Sequence, residues 1–227
     1  MKKWIYNGLF IVSIGVIIYA GWMIYCQKSE YKKAEVEYQK LQKKEKKIDF
    51  VELKKLNQDV VAWIKIPGTR INYPVVHGSD DEEYLHQTFL KKRNSSGAIF
   101  LEAKCKNNFT SENNIIYGHH MRNGTMFADL VKLRDQKFVK EHDQIQLYLP
   151  GKTIDLTIVS AYAGSVQKIP ISFKSKLDKK KWEENIKKRS EIYSTKKLTG
   201  RIYTFVTCSY ERKNNRTYVY AIERTDK

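Results

Sequence analysis

Cys208 ends a β-prone run, 202–208, that breaks into a charged, Asn-containing loop at 209–215. A cysteine on the last residue of a core strand is held by a rigid element yet can be reached from the strand's end, and a nucleophile needs both properties. The thiolate is the reactive form, so a neighbouring cation must favour it or a base must take its proton. His119 and His120 end another β-like run, 114–120. Side chains alternate faces along a strand, so only one of the two imidazoles can point at a given site. Arg216 stands at the start of the β-like run 217–222. A hairpin would return Arg216 to the rim that holds Cys208, where a guanidinium charged at every working pH can hold a carbonyl or a developing oxyanion. Residue types alone do not single out this set, because Cys208 and the histidines lie far apart in the chain.

These residues need a scaffold. The residues 61–66, then Pro67 and Gly68, then 70–76 read as strand, turn, strand. Further β-like runs are 97–101, 114–120, 144–149, 153–162, 201–208 and 217–222. Short strands separated by turn signals predict a mostly β domain, a closed or nearly closed barrel. Two helices interrupt it, at 125–133 and 178–193, the second with Trp182 and Ile186 on one side and lysines on the other. A helix at 49–59 has Asp49 to cap its free amides and Glu52 three residues on to complete a capping box.

Composition bounds the setting. The chain has 227 residues with 15 Tyr, 9 Phe and 4 Trp, enough aromatic bulk for one sizeable core. Its formal net charge is +17, with lysines spread along the whole length. No zinc-finger spacing and no aromatic–basic signature of a nucleic-acid sheet accompanies the charge, so it is read as environmental, with no nucleic-acid partner. Three cysteines, Cys26, Cys105 and Cys208, do not make a disulfide framework.

Residues 4–27, WIYNGLFIVSIGVIIYAGWMIYCQ, carry no charge. At about 1.5 Å per residue they span about 36 Å, enough for a hydrocarbon core of about 30 Å. Aromatic residues Trp4, Tyr6, Trp22 and Tyr25 fall near the two ends, as interfacial belts do. The run is long for a signal peptide, and no small-residue cleavage site comes after it. Residues 1–27 are therefore read as a cytoplasmic stub and uncleaved anchor, residues 28–47 as a charged, solvated helical stalk, and residues 48–227 as the catalytic domain. Lysines flank both ends of the span, so charge does not orient it.

Longer motifs carry a resemblance. Residues 57–76, NQDVVAWIKIPGTRINYPVV, resemble the opening barrel strands of class B sortases. Tyr84, Leu85 and Phe89, then GAIFL at 97–101, are similar to the next stretch of those proteins. IIYGHHMRNGTMF at 115–127 resembles the family's histidine motif, and NRTYVY at 215–220 its arginine-bearing final strand. TFVTC at 204–208 resembles the TLxTC motif, with Phe205 in place of leucine and Val206 where some class B members carry serine. The resemblance covers roughly residues 48–225. It implies an eight-stranded sortase β-barrel with an N-terminal helical extension, and a helix between strands six and seven, where 178–193 stands. It also implies Cys208 as nucleophile, His119 as general acid/base with His120 facing the other way, and Arg216 as stabiliser of the carbonyl oxygen. Thr207, Val206 and Tyr117 are the implied substrate contacts, and neither metal nor organic cofactor is needed.

The implied reaction is transpeptidation. Cys208 cuts a C-terminal sorting signal of the Asn-Pro-x-Thr type after Thr, and the thioester passes to an amine of peptidoglycan or its lipid-linked precursor. That chemistry places the catalytic domain on the extracellular face of the cell membrane. Rival expectations are a pilin-polymerising relative with a lysine acceptor, simple hydrolysis, and a non-catalytic membrane-tethered binding protein.

Overall fold

A computed structural model describes residues 2–43, 48–194, 198, 200–209 and 214–224. Among the described residues there are nine strands: β1 Val60–Lys65, β2 Asn72–Val76, β3 Ile99–Leu101, β4 Asn113–Tyr117, β5 Gln144–Leu149, β6 Lys152–Ser165, β7 Ile192–Tyr193, β8 Ile202–Ser209 and β9 Asn215–Glu223. Their order is β5-β1-β2-β3-β4-β8-β9-β6-β7, and β5 also pairs with β6. Eight strands thus close into a barrel, and closure leaves no free sheet edge among them. The ninth, β7, is a two-residue addition to the outside of β6. Two pairs run parallel, β2 with β3 and β4 with β8; the other pairs are antiparallel. Trp63, Ile64, Ile116, Leu147, Leu156, Phe205 and Val219 are buried in the core.

All eight β-like segments read from the sequence are strands, with ends moved by a few residues. One shift matters. The run expected at 114–120 stops pairing at Tyr117, so His119 and His120 lie beyond the ladder. There the chain turns, with Phe127 N donating to His119 O at 2.9 Å and His120 bridged to Met126. Strand alternation no longer governs where these side chains point.

The helices also differ in detail. Expected helix 125–133 is a 3-10 turn, Ala128–Arg134, with a separate α-helix after it, Gln136–Glu141. Asp135 restarts the chain by accepting from Lys137 N and Phe138 N. The helix Lys176–Arg189 is capped by Ser175 and stops at Ser190, which frees Ile192 and Tyr193 to form β7. It lies between the sixth and seventh barrel strands, β6 and β8. Asp49 caps the helix Phe50–Leu56 through Val51 N and Glu52 N, but Glu52 turns to Lys55 at 2.6 Å. The second half of the expected capping box is thereby replaced by an ion pair.

A single helix, α1, runs from Lys2 to Lys43. Every side chain from residue 3 to residue 25 is exposed, and these include Trp4, Leu9, Phe10, Ile17 and Trp22. So much unpartnered apolar surface is unfavourable in water and favourable in lipid; this helix is long and apolar enough to cross a membrane. The continuation is not the solvated stalk the charges predict. Ala34, Tyr38 and Leu41, spaced four and three apart, share one face and are buried against the barrel, while the lysines between them cover the other faces. Gln42 Nε2 donates to Asn72 O at 2.7 Å, and the Tyr38 ring meets Tyr73 edge-on at 5.3 Å.

Candidate active site

Strands β4 and β8 are parallel neighbours in register, Tyr117 opposite Val206, so their C-terminal ends emerge at the same rim. In the antiparallel pair β8–β9, Cys208 stands directly opposite Arg216. Opposed residues of such a pair have Cβ atoms about 5 Å apart, which makes Cys208 and Arg216 neighbours at this rim. Gly118 lets β4 end there: a Cβ at this position would collide with Ile99 and Phe127.

Tyr117, His119, Val206, Thr207, Cys208 and Arg216, the six residues singled out from the sequence, line one cavity of about 320 Å³. Leu85, Val166, Gln167 and Ile169 complete much of its wall. A larger groove of about 690 Å³ lies between α1 and residues 88–94, but no cysteine or histidine lines it. The smaller cavity is therefore the candidate site.

The three cysteines differ physically. Cys105 is buried, and burial pushes its thiol up to about 11, so it stays protonated at neutral pH. Cys26 lies at the edge of the apolar run of α1. Cys208 is unpaired and partly exposed at the cavity.

The His119 imidazole is fixed by Leu85. Its Nε2 lies 2.8 Å from the Leu85 carbonyl oxygen, and a carbonyl can only accept, so Nε2 carries the hydrogen. In the neutral ring this leaves the Nδ1 lone pair as the base. Burial holds His119 below the ordinary imidazole range, the Leu85 bond acts the other way, and the charges of His86 and Arg216 add to the lowering. We expect an NMR titration of the ring to give a midpoint below about 6.5, the ordinary value; a midpoint above it would contradict this environment. The lowered pKa also links the ring to stability. With the folded pKa depressed, the group's contribution is complete above its unfolded pKa and is lost as pH falls through the folded one.

His120 does not line the cavity, yet it does not simply face away. Its Nδ1 lies 2.9 Å from the Cys208 carbonyl oxygen, so it ties the end of β4 to the backbone of β8. Among the described residues the Arg216 guanidinium donates only to Asn215 O, at 3.1 Å, which leaves most of its fork free. Tyr117 donates to Glu102 Oε2 at 2.9 Å, and burial holds its phenol well above the usual range, so it remains a donor. Thr207 is buried, and its hydroxyl has no partner among the described residues. Sequence reasoning missed Leu85 as the acceptor for His119, and the wall at Val166, Gln167 and Ile169. No local signal marks them, because a backbone carbonyl carries no side-chain signature and the wall comes from the loop between β6 and the helix Lys176–Arg189.

A closed barrel with a reachable thiol at one rim, facing an imidazole and a guanidinium, defines a class, and comparison with known proteins identifies it. Residues 64–224 match the sortase domain, so the chain belongs to the sortase family and is a cysteine transpeptidase. Within that family its similarity is to sortase B proteins. It is 31% identical over 229 residues to sortase B of Listeria monocytogenes, covering 93% of each chain. The Staphylococcus aureus sortase B–substrate complex superposes with a TM-score of 0.77 at 30% identity, over 87% of this chain and 100% of that one. Clostridium perfringens sortase B gives 0.73 at 33% identity, over 78% of this chain and 100% of that one.

Proposed function

We propose that this enzyme cuts a C-terminal sorting signal of the Asn-Pro-x-Thr type after Thr and joins the new carboxyl end to a cell-wall amine. The observation that carries the reading is the single cavity shared by Cys208, His119 and Arg216, with Cys208 and Arg216 opposed in register.

Cys208 Sγ attacks the threonine carbonyl carbon while His119 Nδ1 takes the thiol proton. The carbonyl oxygen gains negative charge, and the free donors of Arg216 stabilise it. His119 then returns its proton to the leaving amide nitrogen, the C–N bond breaks, and a thioester remains. In the second half an amine attacks the thioester carbon and His119 takes a proton from it; the C–S bond breaks, His119 returns the proton to Cys208 Sγ, and the new amide is released. The apolar wall of Val166, Ile169 and Val206, with Thr207 and Tyr117, supports a role in holding the sorting signal. These are few polar groups in an apolar cleft, the usual make-up of a substrate site.

The apolar part of α1 crosses the membrane in this reading, with the barrel on the outer face. Both substrates, a secreted protein not yet released and a lipid-linked amine, lie at that face. Tethering raises the enzyme's effective concentration there.

The test uses the full chain in lipid nanodiscs with a fluorescence-quenched peptide containing Asn-Pro-x-Thr, with and without a glycine oligomer. Mass spectrometry should find cleavage after Thr, and a Thr–glycine conjugate when the amine is present. Water-cleaved product alone at saturating amine would mean that transfer is not the reaction.

A further inference from the structure

We infer that Tyr38, on the helix that continues from the apolar span, is a positioning residue for His119. The link runs through the segment between Tyr84 and Ala98. Tyr38 is 3% exposed, although it sits among charged neighbours on α1. Its hydroxyl donates to Gly97 O at 2.8 Å and accepts from Phe89 N at 3.1 Å. Burial raises its phenol far above any working pH, so the donor persists.

Gly97 in turn lies against the imidazole. Its φ is +57°, a conformation that suits glycine. A Cβ there would stand 3.0 Å from His119 Cδ2 and 2.7 Å from the carbonyl oxygens of Tyr84 and Leu85. That Leu85 oxygen is the one that accepts from His119 Nε2. One buried hydroxyl therefore holds the stretch of backbone that both packs against the ring and sets its tautomer. Two more contacts from α1 grip the same segment: Glu37 Oε1 accepts from Leu90 N at 3.1 Å, and Asn94 Nδ2 donates to Glu30 O at 2.9 Å. The consequence is that α1 does more than tether. The geometry makes it a brace for the imidazole, and displacement of about 1 Å at a reacting group is costly in rate.

The inference rests on His119 as the acid/base group, but its test separates the two. Tyr38→Phe, in the full chain in nanodiscs, keeps the ring and its edge contact with Tyr73 and removes only the hydroxyl. We expect kcat to fall about tenfold with KM within about twofold. The His119 NMR midpoint should rise towards about 6.5 as the ring gains water. The other groups facing His119 are His86, stacked at 6.4 Å on the same segment, Asp81 in the cavity wall, Cys208 on β8 and Arg216 on β9. None is altered by the substitution, so a moved midpoint reports the segment. A lower Tm with unchanged kcat and unchanged midpoint would overturn the inference and leave Tyr38 as packing alone. Should Tyr38→Phe not fold, Glu37→Ala removes the acceptor of Leu90 N and loosens the same segment. It should move both readouts in the same direction by a smaller factor, and no movement would overturn the inference. The midpoint is independent of catalysis, so it still decides the positioning role if His119→Ala proves active.

Discussion

Cys208→Ala will lose peptide cleavage and amine transfer by about 10⁴-fold or more, the scale seen when a covalent nucleophile is removed. The reason is that nothing replaces it. Cys105 is buried and held as a thiol, and it does not line the cavity. A water attacking in its place would lose the thioester that divides one difficult step into two easier ones. The fold should survive, since Cys208 is partly exposed and the substitution removes only the sulfur. The measurement pairs the rate with a thermal melt. A Tm within a few degrees of the parent and no activity is the expected result. Cleavage after Thr that persists at the parent rate would remove the cysteine mechanism altogether.

That the thiol could be singled out from sequence stems from where β8 ends. The run of β-prone residues before Cys208 and the polar loop after it mark a strand terminus, and Arg216 comes within one hairpin. The strands were legible for the same reason: each is short, β-branched or aromatic, and bounded by turn residues. Barrel closure was less so, because it depends on the pairing of β5 with β1, two segments distant in the chain. Docking of α1 was hidden by its charges. Ala34, Tyr38 and Leu41 are three apolar positions among lysines and glutamates, too narrow a stripe to distinguish a braced helix from a solvated one. His119 and His120 were the hardest to read. The alternation rule assumed a ladder that ends two residues earlier, at Tyr117, and the choice of His119 came from resemblance. The structure supplies a physical distinction between them: both rings hold a backbone carbonyl, Leu85 O for His119 and Cys208 O for His120, but only His119 lines the cavity.

That distinction makes the second large effect a comparison. His119→Ala should lower kcat by about 10² to 10⁴, the range for loss of a positioned acid or base. In the proposed mechanism both half-reactions use this proton carrier, so an added amine will not rescue the rate to that of the parent. His120→Ala removes only the ring that donates to Cys208 O at 2.9 Å. Loss of one such bond is worth about 1 kcal/mol, so stability should fall slightly and activity should stay within about tenfold, because the thiol remains tied through β8 and β9. Steady-state rates for the two variants, with and without amine, check both claims. If His120→Ala were the inactive variant and His119→Ala the active one, the proton would have to travel by the ring on the Cys208 carbonyl. The His119 ring that lines the cavity would then have no part in the chemistry.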